Sequence, residues 1–432
     1  MKRILLILCS CLFIASAACT PKRAGTEDPA VQASAQTQAD PSGQKPEQAK
    51  PMPGDVEFIR SQAELDDAEK RAAAGDVAAS ASLALYYFNQ GEPFDVNAAA
   101  INAKNAALAG VAEGKYVLAE LFLMRRDDND AQVGLTMAQE ASEQGYTPAT
   151  ATLGKYYYMG RVVPRDLNQA RTLFERAAEQ NDPNGQYSLG VIYATGAGVE
   201  EDQAKASGYF KKASDQGLPI AQFALADQYA KGKGVTKNID EAIRLYRGPA
   251  NAGNVLAQVE LAFALLDSGK DPAEGVSWLK KASDQGFPVA KFILANCYFN
   301  GVGVQKDEAQ AFKYAKEAAE AGMPKAQGFL GELYFHGVGT AQNYTESAKW
   351  FKEAAAWGDT VAMFRLAGMY YEGHGVTEDK TEAYYWAVLV EAIEPMDETH
   401  AMRMGIGEQL SDQQRKAVER KAQNWRPKTM PI

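Results

Sequence analysis

The stretch NCYFNGVGVQKD, residues 296–307, sets two glycines one residue apart behind an aromatic run and ahead of an aspartate. Glycines so spaced can turn backbone amides toward a phosphate, which would make the segment a nucleotide or cofactor loop. Within it, Cys297 is a thiol that could act as a nucleophile. Ser277 and Lys280, in SWLK, match the S-x-x-K pattern of serine acyl-enzymes. His336, His374 and His400 are the side chains whose ordinary pKa suits proton transfer near neutral pH.

Whether any of these groups can do chemistry depends on the elements that carry them, and those elements repeat. With Gly75, Gly110, Gly145, Asn181, Gly217, Gly253, Gly286, Gly322 and Gly358 as origins, the spacings are 35, 35, 36, 36, 36, 33, 36 and 36. A leucine stands eight residues after every origin, from Leu83 and Leu118 to Leu330 and Leu366. Ala or Gly lies four residues before each leucine and directly after it. Four residues beyond the leucine comes an aromatic in eight of nine units, Leu265 being the exception. Positions four apart share one helical face, so each unit opens with a helix carrying a small, leucine, aromatic stripe.

The small residues let a second helix approach closely. Its start recurs as DLNQ at 166, NIDE at 238, DPAE at 271, DEAQ at 307, NYTE at 343 and DKTE at 379. Asp or Asn three residues before Glu or Gln is the pattern of a capping box. The second helix then runs through apolar positions such as Leu173, Phe210, Tyr246, Trp278, Tyr314, Trp350 and Trp386 to the next origin. A glycine at that place supplies the left-handed residue that ends a helix.

This frame disposes of the apparent chemistry. GAGV at 196, GKGV at 232, GVGV at 301, GVGT at 337 and GHGV at 373 all fall between first and second helix. A phosphate loop follows a strand and serves one ligand, so five copies in phase read as turns. The unit at Gly253 lacks the motif and is three residues shorter, and its DPAE moves earlier by the same three, which confines the deletion to the loop. Cys297 sits in an apolar helix and reads as a buried structural thiol. Ser277 falls in the first turn of a repeat helix, and the chain has neither S-D-N nor K-T-G. No H-E-x-x-H, C-x-x-C or G-x-S-x-G occurs, and His336 and His374 belong to turns. The reading is a protein without catalytic residues, metal or cofactor.

Of 432 residues, 46% are hydrophobic and 23% charged, ordinary values for a folded chain. A net charge of −10 argues against nucleic acid and anionic membrane surfaces as partners. The start, MKRILLILCSCLFIASAAC, places Lys2 and Arg3 before an apolar run from Ile4 to Ile14 and then small residues, the order of an export signal. SAAC resembles the lipobox of bacterial lipoproteins, which implies cleavage after Ala18, lipid on Cys19 and, with Thr20 following, sorting to the outer membrane facing the periplasm. Cleavage without lipid would give a soluble periplasmic or secreted product. Residues 20–55 are rich in Pro, Ala, Gln, Gly and Ser with no apolar period, the composition of a disordered tether. With Cys9 and Cys11 lost in the leader and Cys19 lipidated, Cys297 has no disulfide partner, so the core must hold the fold.

The motif A-x-x-x-L-G/A-x-x-Y-x-x-G-x-G-V, as in AQGFLGELYFHGVG from Ala326 to Gly339, resembles the Sel1-like repeat, a relative of the tetratricopeptide repeat. The resemblance implies an all-α, right-handed α/α superhelical solenoid of helix pairs. The organisation expected is a signal peptide (1–18), a tether (19–54), an N-terminal capping helix (55–74), nine repeats (75–393) and a C-terminal capping helix (394–432). Within the latter, LSDQQRKAVERKAQNW should form one amphipathic helix over 410–425.

First helices of such arrays line a concave groove that binds proteins. Offsets seven, ten and fourteen from each origin form a stripe away from the core face, and they hold varied polar residues: Thr152, Lys155, Asp227, Lys231, Glu260, Asn296, Asn300, Glu332, His336, Arg365 and Glu372. These are the candidate binding residues. The aromatics at offsets six and thirteen, such as Phe223, Phe299 and Phe335, recur too regularly for a site and read as packing.

The function that follows is a non-enzymatic scaffold of the bacterial cell envelope, touching the membrane only through its lipid. Relatives suggest assembly of an envelope or secretion complex. The alternatives are a receptor or enzyme for cell-wall fragments or β-lactams, a host-interaction factor, or a spacer. The disulfides of the β-lactam-binding branch are missing here.

Overall fold

The structure, a computed structural model, describes residues 56, 58–89, 95–125 and 127–429. The signal peptide, Cys19 and the tether therefore lie outside the described residues. Among those described there are 21 helices and no strand.

A short helix, α1 (Gln62–Ala73), packs on α2 (Val77–Asn89), which forms the first helix pair with α3 (Val96–Leu108). Eight further pairs follow: α4 (Ala112–Met124) with α5 (Asp128–Glu143), α6 (Thr147–Met159) with α7 (Leu167–Glu179), α8 (Pro183–Thr195) with α9 (Gln203–Asp215), and α10 (Pro219–Lys231) with α11 (Ile239–Asn251). The rest are α12 (Val255–Ser268) with α13 (Pro272–Asp284), α14 (Pro288–Asn300) with α15 (Glu308–Glu320), α16 (Pro324–His336) with α17 (Tyr344–Ala356), and α18 (Thr360–Glu372) with α19 (Lys380–Ile393). Each helix packs on its neighbours in sequence, so the core is continuous along an α/α solenoid. The repeated leucines form its spine: Leu189, Leu261, Leu294, Leu330 and Leu366 have no exposed surface. Small residues bring the helices close. At Gly154, Gly190 and Gly331 a Cβ would meet the rings of Phe174, Phe210 and Phe351 at 2.5–2.6 Å.

Each glycine of the turn motif has its own task. Gly160, Gly196, Gly232, Gly301, Gly337 and Gly373 end their helices in the left-handed region, and Gly269 does the same in the shortened unit. The second glycine makes contact between units: a Cβ at Gly234, Gly303 or Gly339 would lie 2.0–2.2 Å from the carbonyl oxygen of Gln203, Pro272 or Glu308. Each of those is the first residue of the preceding unit's second helix.

The capping pattern is half a capping box. Asp166, Asn238, Asp271, Asp307, Asn343 and Asp379 each accept an amide of the first turn through the side chain. The reciprocal bond from the Glu or Gln side chain is replaced. At five of the six the cap's own N–H donates instead to a tyrosine carbonyl of the preceding helix: Asp166 to Tyr157, Asn238 to Tyr229, Asp307 to Tyr298, Asn343 to Tyr334 and Asp379 to Tyr370. That bond ties the two helices of a unit together through the turn. Full capping boxes do occur at Ser61 with Glu64 and at Ser411 with Gln414, at the starts of helices that close the two ends.

The C-terminal region holds two helices where the sequence pattern predicts one: α20 (Asp397–Gly407) and α21 (Asp412–Gln423) both pack on α19. Thr399, with no exposed surface, starts α20 by accepting the Met396 amide and donating to main-chain oxygens of Glu394 and Met396. Beyond α21 the chain turns back, and the Lys428 amide donates to the Ala356 carbonyl oxygen at 2.7 Å.

Candidate protein-binding face

Direct contacts between like helices of successive units join first helices: α2 with α4, α4 with α6, α6 with α8 and α16 with α18. This crowding puts the first helices on the inner side of the curve. It also sets a register in which offset ten of one unit meets offset seven of the next.

Three junctions show what that register does. At the first, Glu120 receives the Thr152 hydroxyl and the Lys155 ammonium, the latter at 2.7 Å. At the third, Arg365 grips Glu332 with two hydrogen bonds, Nε to Oε1 at 2.7 Å and Nη2 to Oε2 at 3.0 Å, while His336 Nε2 lies 3.3 Å from the same carboxylate. Arg365 also covers the Phe335 ring, 5.3 Å from its centroid. In both, a carboxylate is matched by a donor from the first helix of the next unit. At the middle junction the residues in the same two positions are Asp227 and Glu260, two acids, and the charge of Asp227 acts on Glu260. Lys231 reaches Asp227 at 2.5 Å from the same helix. Burial, then the Asp227 charge, pushes the Glu260 carboxyl up to about 7 against the pull of Lys231.

The other expected face residues are arranged differently. Asn296 and Asn300 donate to main-chain oxygens four residues back, at 2.9 Å each, and so serve their own helix. Glu372 is exposed and lies 3.0 Å from His374, whose ring stacks on Tyr344. Thr152 is a correction: it has no exposed surface, because Glu120 of the preceding unit covers it, so it supports the face without being part of it. Two participants are absent from the residues that the sequence pattern singles out. Glu120 sits at offset ten, where the stripe itself could have shown it. Tyr246 stands among the apolar positions of second helices, yet it is a tyrosine where Phe174, Phe210 and Phe351 stand in other units. Its hydroxyl is fully buried and has no hydrogen-bond partner.

The groups considered for catalysis are scattered. Cys297 is 5% exposed, and burial pushes its thiol up to about 12, far from a reactive thiolate. Ser277 and Lys280 both lie on the exposed side of α13. The aromatics at offsets six and thirteen are covered wholly or in part and pack on other rings, as Phe88 does on Tyr116 and as Phe292 and Phe299 do on Phe329, which stands at offset seven. Among the described residues no group of three His, Cys, Asp or Glu side chains gathers as a metal site. No described helix is long and apolar enough to cross a membrane.

The fold and its inner face define a helical-repeat solenoid of the kind that engages other proteins. The Sel1 repeat model matches seven consecutive stretches, 148–182, 183–218, 219–248, 255–287, 288–323, 324–359 and 360–388, which together make up more than half of the chain. The chain belongs to the Sel1 repeat family. The two pairs α2/α3 and α4/α5 precede these matches and continue the same stacking. Among solved structures, a Sel1 repeat protein from Oxalobacter formigenes is 29% identical over 57% of this chain and 98% of its own, with a TM-score of 0.48. A protective antigen of uropathogenic Escherichia coli with an SLR fold is 26% identical over 84% of this chain and 86% of its own, with a TM-score of 0.46. No curated protein matches the sequence. Sel1 repeat proteins are in general scaffolds for protein interaction.

Proposed function

We propose that the protein is a non-enzymatic scaffold of the bacterial cell envelope, a lipoprotein tethered through Cys19 that holds an envelope protein against its inner face. The observation that carries this reading is the inner face itself. On a frame whose leucines, glycines and caps repeat almost unchanged, the inter-unit junctions are not uniform in charge: Glu120 with Lys155 and Glu332 with Arg365 pair acid with base, whereas Asp227 with Glu260 sets acid beside acid. Packing alone needs no such variation, whereas a surface that selects one partner does. The export signal and the SAAC sequence support placement at the envelope, and the tether composition supports display away from a bilayer.

The test is crosslinking in living cells with tagged full-length protein, followed by affinity capture from membranes and mass spectrometry, beside a Cys19→Ala control. A discrete set of envelope proteins, released by charge reversal at Lys155, Glu332 and Arg365 together, is the expected result. Capture of the same proteins by the charge-reversed form would overturn the groove as the binding surface. Incorporation of labelled palmitate into the parent and its absence from the Cys19→Ala form tests the anchor separately.

A further inference from the structure

Of the three acidic junctions of the inner face, at Glu120, Asp227 and Glu332, one lacks a cation from the next unit. Glu332 has the Arg365 guanidinium and Glu120 has the Lys155 ammonium, each supplied by the next unit. At the middle junction the residue in Arg365's place is Glu260, a second acid. Fully ionised, Asp227 and Glu260 carry two negative charges against the single positive charge of Lys231. That ammonium is half exposed and bound to Asp227 on the same helix. Tyr246, 1% exposed, packs its ring against Phe223, one helical turn before Asp227, with centroids 5.6 Å apart. Its hydroxyl has no partner, and the two charges acting on it are those of Glu260 and Asp227. A buried hydroxyl without a partner is destabilising, and the Phe that other units use here would avoid that loss.

We propose that Asp227, Glu260 and Tyr246 form a site on the inner face that takes the guanidinium of an arginine from a bound protein segment. The inference rests on the scaffold reading and specifies the chemistry of its partner. The occupant supplies the positive charge that Arg365 supplies from within at the Glu332 junction. Its planar fork can bridge two carboxylates on neighbouring helices, and a guanidinium sheds water more easily than an ammonium. With the cation in place Glu260 is held ionised, and its carboxylate becomes the acceptor that the Tyr246 hydroxyl lacks. A divalent metal fits less well, because the site offers two carboxylates with an ammonium beside them.

The test uses the full-length protein at pH 8 and low salt with two small probes, N-acetyl-arginine methylamide and its neutral citrulline counterpart, their affinities read by saturation-transfer NMR. The expected result is a preference of about fivefold or more for the arginine probe. That preference should vanish in the Asp227→Asn, Glu260→Gln double variant and persist in Glu372→Gln, which removes an exposed acid of the same face. Equal affinity for the two probes overturns the inference, and so does a preference that survives the double variant. Neither result touches the scaffold reading, which stands or falls on capture from membranes. Tyr246→Phe should fold as well as the parent and bind the arginine probe more weakly.

Discussion

Arg365 and Glu332 stand on the first helices of consecutive units, and the two hydrogen bonds between them, 2.7 and 3.0 Å long, fix how far one unit turns on the next. Both side chains are partly covered, at 37% and 23% exposed, so the pair is shielded more than an ordinary surface ion pair. Arg365→Ala is expected to lower stability by about 1 kcal/mol. A double-mutant cycle with Glu332→Ala should show a coupling of about 0.5–1 kcal/mol that shrinks in 1 M salt. The measurement is the urea midpoint of the four proteins at low and high salt. A coupling of zero at low salt would mean that the pair does not set the junction.

The glycines of the turns separate two physical costs. Gly286 has φ +83° and open space where a Cβ would stand, with no atom within 4 Å, so Gly286→Ala meets only the left-handed penalty of about 1–2 kcal/mol. Gly234 has φ +68°, and its Cβ would also lie 2.0 Å from the Gln203 carbonyl oxygen of the preceding unit. Gly234→Ala should therefore cost clearly more than Gly286→Ala, because main chain must move to make room. Thermal unfolding of the two variants side by side decides it, and equal losses would refute the inter-unit role of the second glycine.

Much of this architecture is legible in the sequence because it rests on local rules repeated in phase. The leucine at offset eight, the small residues around it and the left-handed glycines each report a face or a helix end, and a deletion at Gly269 moves nothing but the loop. What periodicity cannot report is how one unit sits on the next. Thr152 shares the polar stripe with Lys155, yet the inter-unit register puts it under Glu120. The same register brings Glu260 under the influence of the Asp227 charge, which neither residue shows alone. Helix α20 escapes a periodicity argument because its turn-forming contacts run through Thr399 and main chain rather than through an apolar stripe; only Thr399, Ile406 and Gly407 of it are buried.

Cys297 should be inert while the protein is folded. Its thiol is buried in α14 and held far from the thiolate form. At pH 8 in native buffer, alkylation by iodoacetamide is expected to proceed only as fast as the unit opens, and to become complete within minutes in 6 M guanidinium. Rapid native labelling would contradict the placement of this helix. Cys297→Ala should leave partner capture unchanged.

Glu260 gives the protein a pH dependence of definite sign. Its carboxyl is pushed up to about 7 in the fold against the 4.5 of an ordinary glutamate, chiefly by burial and next by Asp227. Below pH 4.5 both folded and unfolded chains hold the proton, and the favourable contribution is complete. Between about 4.5 and 7 the unfolded chain releases the proton while the folded one retains it, so stability falls as pH rises, and the loss levels off above 7. The full difference is on the order of 2 kcal/mol after allowance for residual solvent at the groove. Glu260→Gln cannot ionise and escapes the loss. The variant is expected to match the parent at pH 4.5 and to melt at a higher temperature at pH 8, with Asp227 and Lys231 unchanged beside it. A stability gap of the same size at both pH values would show that ionisation of Glu260 is not the cause. The proposed arginine site accounts for keeping an acid that weakens the unliganded fold: the strain of the ionised pair is relieved only when a cation from the partner enters.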